Sequence, residues 1–227
     1  MRYFDKSIFK YLTDLKSNNN KEWFLENKEK YESIAREPFL KFISDFAPHL
    51  EKIAPNHQAI AKKTGDSLFR INKDLRFANR DEPYKTWIAA QFKHKKSKDV
   101  HSPGFYLHIE PKKCFFGGGI WQPDSQTCQK IRTAIAKNTK EWSTIRNSKR
   151  FTSLFEMDKD SLKKPPKGFD LSHPNIEDII RKNFVIMHAL KQKDVTSDYF
   201  LERIVDLCEN SAKYIKFLTI SCGLKWD

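Results

Sequence analysis

The 227-residue sequence has no Cys-x-x-Cys pair. Its four cysteines, Cys114, Cys128, Cys208 and Cys222, lie far apart, which argues against a zinc ribbon or a thioredoxin-like dithiol. No run of eighteen apolar residues and no secretory leader is evident, so the expectation is a soluble, reduced, cytoplasmic chain with no membrane partner. No Gly-x-Ser-x-Gly marks a nucleophilic serine, and no cysteine adjoins a histidine. The glycine run Gly117-Gly118-Gly119 leads into "IWQPD" rather than Gly-Lys-Ser/Thr, which excludes a phosphate-binding P-loop. His-Glu-x-x-His and His-x-His spacings are absent, so no metal or cofactor is assigned. Helix-turn-helix, zinc-finger and RNA-recognition signatures are absent too.

Aromatic side chains are plentiful, with 18 Phe, 7 Tyr and 5 Trp. Disordered chains have few aromatics, so this one folds in spite of its charge. Lys and Arg number 42 against 29 Asp and Glu, a net charge of +13. The excess favours anionic partners, either a small anionic ligand or nucleic acid. The lysines are scattered rather than clustered, which fits equally well with solvated faces.

Apolar periodicity gives the order of elements. Phe4, Ile8, Leu12 and Leu15 recur at helical spacing up to "SNNN", and Asn20 is placed to cap a second helix containing Phe24, Tyr31, Ile34 and Ala35. Pro38 either kinks that helix or opens the next, whose stripe of Phe39, Phe42, Ile43 and Phe46 runs to Pro48. From Leu68 the texture becomes short and period-two. "KTWIAAQF" reads as a mostly buried strand. "FYLHIE" alternates, with Phe105, Leu107 and Ile109 on one face and Tyr106, His108 and Glu110 on the other. "PKK" then turns the chain into "CFFGGG", and "KHKKSK" (93–98) is a solvated loop. Beyond Pro123, Ile131, Ala134 and Ile135 form a helical face. "LKKPPKGFD" is a loop, "FVIMHAL" a buried strand, and Ser197 to Leu218 a long amphipathic helix. The expectation is a single α+β domain over residues 1–227, with N-terminal helices, a central mainly antiparallel sheet and C-terminal helices.

"FRINKDLRFANRDEPYKTW", "PGFYLHIEP", "GGGIWQPD", "IRTAI" and "PPKGFDLSHP" occur in that order, after "NNNKEWFLENKEKYE". On these motifs the chain resembles a widespread bacterial and fungal family known as domain of unknown function 2461, over about residues 9–217. The resemblance implies one intact domain. One departure is Lys73-Asp74, where the family usually has Arg-Asp; the swap loses a guanidinium fork for a planar anion.

The stretch from Ser67 to Trp87 crowds Arg70, Lys73, Arg76, Arg80 and Lys85 among rings and the acids Asp74, Asp81 and Glu82. Two readings stay open for it. Arg70, Arg76 and Lys85 can form a basic platform for phosphate or carboxylate, with Phe69, Ile71, Leu75 and Phe77 turned to the core. Alternatively the acids neutralise these cations in ion pairs that set a loop. Gly118 and Trp121 are ligand-binding candidates as glycine backbone beside a stacking ring. Arg132 joins them on a helix capped by Asp124 or Ser125. Tyr106, His108 and Glu110 share a strand face, where His108 and Glu110 are the acid/base candidates; His173 or His101 would be needed to complete a metal site. The loop bearing Lys163, Lys164, Lys167 and His173 either closes over this face or lies on the surface. The functional expectation is binding or processing of a phosphorylated or carboxylated small molecule. Nucleic-acid binding through diffuse charge and a scaffold without catalysis are the alternatives, and whether the chain is an enzyme is left open.

Overall fold

A computed structural model describes all residues except 64, 75, 77–80 and 98–101. Leu75, Phe77, Arg80, Lys98 and His101 therefore lie outside the described residues. The chain forms α1 (Ser7–Ser17), α2 (Lys21–Glu26), α3 (Lys28–Tyr31), a π-helical turn (Glu32–Arg36) and α4 (Glu37–Ile53). Then come β1 (Ile88–Lys93), β2 (Gly104–Ile109), β3 (Cys114–Ile120), α5 (Ser125–Lys137), α6 (Thr139–Arg146) and α7 (Lys149–Leu154). The last elements are β4 (Glu156–Met157), α8 (Ile176–Ile179), β5 (Phe184–Leu190), α9 (Gln192–Val195) and α10 (Phe200–Ser221). No helix is long and apolar enough to cross a membrane among the described residues.

Local chemistry sets the helix boundaries. Asn20 caps α2 by accepting from the Trp23 amide at 2.9 Å, and Pro38 opens α4 in its first turn. Pro48 lies inside α4 rather than ending it. A proline leaves the carbonyl four residues back without its amide; here both Pro48 and Ser44 are exposed, so water can reach that carbonyl. Phe46 and Leu50 stay fully buried on the opposite side and carry the helix through.

The strands form one antiparallel sheet in the order β1-β2-β3-β5-β4. Alternation decides its two faces. Phe105 and Leu107 of β2, with Phe116 of β3 and Ile186 of β5, are fully buried under the helices. There α10 packs on α4, β2 and β3, and Phe4, Phe42 and Phe200 interlock with ring centroids 5.2–5.8 Å apart. The other face carries a row in register across all five strands: Gln91, Tyr106, Gly117, Met187 and Glu156. "FVIMHAL" is thus covered on one face only, since Met187 is 39% exposed. The free face of β5 is what a reading of seven apolar residues as a buried strand misses.

Polar links hold the C-terminal half. Asp178 is buried and accepts from Trp142 Nε1 at 2.7 Å, Arg146 Nε at 3.1 Å and Arg181 Nε at 2.8 Å. His188 donates from Nδ1 to the Leu154 carbonyl at 2.6 Å, so its Nε2 accepts from Arg203 at 3.0 Å. The C-terminal tail is fixed at Lys225, whose carbonyl accepts from His94 Nε2 at 2.8 Å, while Trp226 packs on His57.

Candidate functional site

The described cations between Ser67 and Trp87 find their partners within that stretch. Arg76 holds Asp74 in a fork, Nε to Oδ1 at 3.0 Å and Nη2 to Oδ2 at 2.7 Å, and Arg70 approaches the same carboxylate at 3.9 Å. Lys73 pairs with Glu82 at 3.0 Å. The Lys85 ammonium donates to the carbonyls of Arg70 at 2.6 Å and Asn72 at 2.7 Å, and sits 5.4 Å from the Trp87 ring. Burial, with Arg70 nearby, lowers its pKa to about 8. Each described cation of this stretch is engaged internally, which favours the loop-setting reading over the platform. Arg70 and Arg76 remain largely exposed, and neither lines the groove described below.

Arg132 is buried on α5 rather than turned to a ligand. Its guanidinium donates to the Ile179 carbonyl at 2.8 Å and the Arg181 carbonyl at 2.9 Å, closing the end of α8. Asp124 caps α5, accepting from the Thr127 amide at 2.8 Å, so that helix terminus already holds an anion.

The free sheet face gathers a different set. From β2, Tyr106 Oη lies 2.9 Å from His108 Nδ1, and His108 Nε2 lies 3.1 Å from Glu110 Oε2. His108 is stacked on Phe115 with centroids 4.8 Å apart and faces Trp87 at 5.0 Å. Phe69 meets both Trp87 and Tyr106 by its edge. His108 is therefore buried, 6% exposed, while Tyr106 beside it is half-buried. Burial lowers the His108 pKa against the pull of Glu110, and burial raises the Tyr106 phenol above its ordinary range. His173 is not part of this group, being bonded to Thr139 and to the Asn175 amide. Among the described residues no three His, Cys, Asp or Glu side chains gather around a point where a metal would sit.

A groove of about 1140 Å³ runs over this face, across β5, to residues 152–156. Tyr106, Phe115, Gly117, Trp121 and Met187 line it, and the exposed Lys112 and Lys113 stand on the turn at one end. A family model described as conserved hypothetical protein (DUF2461) matches residues 7–217. The chain belongs to the DUF2461 family. No curated protein matches it.

The three consecutive glycines of this DUF2461 chain serve three purposes. Gly119 has φ +122, and a Cβ there would lie 1.9 Å from the Phe184 carbonyl oxygen. Gly118 contributes backbone to the groove, but its side-chain position is turned to α10, where a Cβ would meet Ile215 Cδ1 at 3.1 Å. Gly117 has neither constraint: a Cβ would sit at ordinary contact distances, 3.6–3.7 Å from Ile186 O, Phe115 and Tyr106. Gly117→Ala will therefore stabilise the fold by about 0.5–1 kcal/mol, because glycine in a strand loses more entropy on folding. Gly119→Ala will cost about 3 kcal/mol or more through strain and overlap. Urea unfolding of the two variants measures both signs.

Sequence reasoning missed Trp87 and Phe115 as the walls around His108, and Lys112 and Lys113 as the cations beside the groove. The available signal was alternation: Phe115 and His108 are register partners on one face. Trp87, which directly precedes β1, alternates with Ala89 and Gln91, the register partners of His108 and Tyr106.

Proposed function

We propose that this DUF2461 protein binds, and acts on, a carboxylated or phosphorylated small molecule in the groove on the free face of the sheet. The observation that carries the reading is Tyr106: its side chain lines the groove while its hydroxyl is backed by His108 and Glu110. A polar group held in a mostly apolar cleft and tied to two titratable partners is a typical arrangement for a ligand site. Lys112 and Lys113 supply the charge for the anionic group, in place of the internally paired Arg70 and Arg76. Tyr106 is the group that touches the ligand, and His108 and Glu110 act through it.

A thermal-shift panel of inorganic phosphate, nucleotides, sugar phosphates and aromatic carboxylates at two salt concentrations tests this. A ligand at a hundredfold excess over its dissociation constant stabilises by about 2.7 kcal/mol, a shift of roughly 5–11 °C for a chain of this size. The shift is expected to survive high salt, to fall in the Lys112→Ala/Lys113→Ala double variant and in Tyr106→Phe, and to persist in Arg76→Ala. No response to any small anion, or a response indifferent to all three variants, sinks the reading. Binding of an oligonucleotide alone, vanishing at high salt, would replace it with diffuse phosphate contact.

A further inference from the structure

We infer that the Tyr106 oxygen works on the groove side as a hydrogen-bond acceptor, so that the site selects anionic molecules that also bear an O–H or N–H donor. This rests on the ligand reading above and goes further, to the polarity of the contact and the class of molecule.

The direction follows from which atoms can donate. A carboxylate only accepts, so the 3.1 Å contact between Glu110 Oε2 and His108 Nε2 puts a hydrogen on Nε2. A neutral imidazole carries one hydrogen, which leaves Nδ1 bare. The 2.9 Å contact at Nδ1 must then be donated by the Tyr106 hydroxyl. The phenol hydrogen is thus used inside the protein, and what Tyr106 presents to the groove is lone pairs. A ligand hydroxyl or N–H fills that position; a bare carbonyl or ether oxygen there would meet an acceptor with an acceptor.

The polarity depends on His108 staying neutral, since a protonated ring would donate from both nitrogens and turn the phenol hydrogen outward. Its surroundings favour the neutral form. Phe115 from β3 and Trp87 from the segment before β1 enclose the ring and keep water from it. The charged and titratable groups about it are Tyr106 and Glu110 on its own strand and Lys113 on the following turn. The Lys85 ammonium lies against the same Trp87 ring. Among the described residues only Glu110 favours the imidazolium; burial and Lys113 oppose it.

The test uses 4-hydroxy-3-nitrobenzoate, a carboxylate whose phenol changes visible absorbance on ionising, with 3-nitrobenzoate as its hydroxyl-free counterpart. The hydroxylated probe is expected to bind about tenfold more tightly, the factor for one net hydrogen bond. Its bound phenol is expected to ionise about one pH unit above the free probe, because the phenolate no longer has the hydrogen it donates to Tyr106. Both differences should disappear in Tyr106→Phe. In Glu110→Gln both should shrink, because an amide can donate to Nε2, leave the hydrogen on Nδ1 and let the Tyr106 hydroxyl turn outward. Circular dichroism establishes that each variant folds, and the comparison of the two probes on the unsubstituted protein stands even if one does not. Equal binding of the two probes with an unshifted phenol, or binding of hydroxyl-free anions alone, overturns the inference and leaves the ligand reading standing. No binding by any carboxylate or phosphate overturns both.

Discussion

Asp178→Ala will lower the stability of the fold by about 3–5 kcal/mol, the usual cost of removing one partner of a buried ion pair. At the response of a chain this long, the melting midpoint falls by roughly 6–20 °C. The size of the effect comes from what the carboxylate serves. Asp178 Oδ2 accepts from Trp142 Nε1 and Arg146 Nε, and Oδ1 accepts from Arg181 Nε. Trp142, fully buried, would be left with nothing to bond, and the Arg146 and Arg181 guanidiniums, 23% and 13% exposed, would lose their carboxylate. An unpaired buried donor keeps the whole desolvation penalty. Asp178→Asn retains an acceptor oxygen and should lose less. Chemical unfolding of the pair, read by tryptophan fluorescence, gives both numbers, and a loss under about 1 kcal/mol for the alanine variant would contradict this account.

The second large effect is a loss of stability in mild acid that depends on His57. Its ring is buried between Phe105, His94 and Trp226, with Nε2 on the Pro103 carbonyl at 3.3 Å and Nδ1 without a hydrogen-bond partner among the described residues. Burial, and then the neighbouring His94, lower its pKa from 6.5 to about 4. Between those values the unfolded chain takes up a proton that the folded protein refuses. The contribution of His57 is therefore complete above about pH 6.5 and is lost as pH falls toward 4. At about 1.4 kcal/mol per unit the loss is on the order of 3 kcal/mol. His57→Phe keeps a ring in the same space and removes the titration. Melting midpoints across pH 7 to 4 should fall less steeply in the variant, and parallel curves would show that His57 is not the group responsible.

Much of the architecture was legible because it depends on spacing. Leu12 and Leu15, Phe42 and Phe46, and Ile204 and Leu207 recur at helical intervals and are fully buried. Phe105 and Leu107 alternate with Tyr106, and the sheet they form is antiparallel, as the hairpin at "PKK" requires. The site was legible only in part. Tyr106, His108 and Glu110 could be placed together because they sit two residues apart on one strand. The fates of Arg132 and Lys85 could not, because both end on backbone carbonyls, and every residue supplies one of those. Arg76 was ambiguous for another reason: a cation two residues from Asp74 reads the same whether it grips a ligand or its neighbour. Asp178, in "NIEDIIRK", has the look of an exposed helix and is instead the hub of three donors. Its burial depends on α6, which no local pattern connects to it.

The order of the sheet also bears on how fast the protein reaches this structure. β2 and β3 meet across a short turn, but β3 and β5, paired along their whole length, have residues 121–183 between them. That pairing joins residues 64–76 positions apart in the sequence. The entropy of closing so long an excursion must be met before any ladder bond forms there. The β2–β3 hairpin can assemble in microseconds, whereas closure by β5 belongs to the slow range that distant strand pairings impose. Until then β3 has one unsatisfied edge, and the chain is most exposed to association with its own kind during that interval.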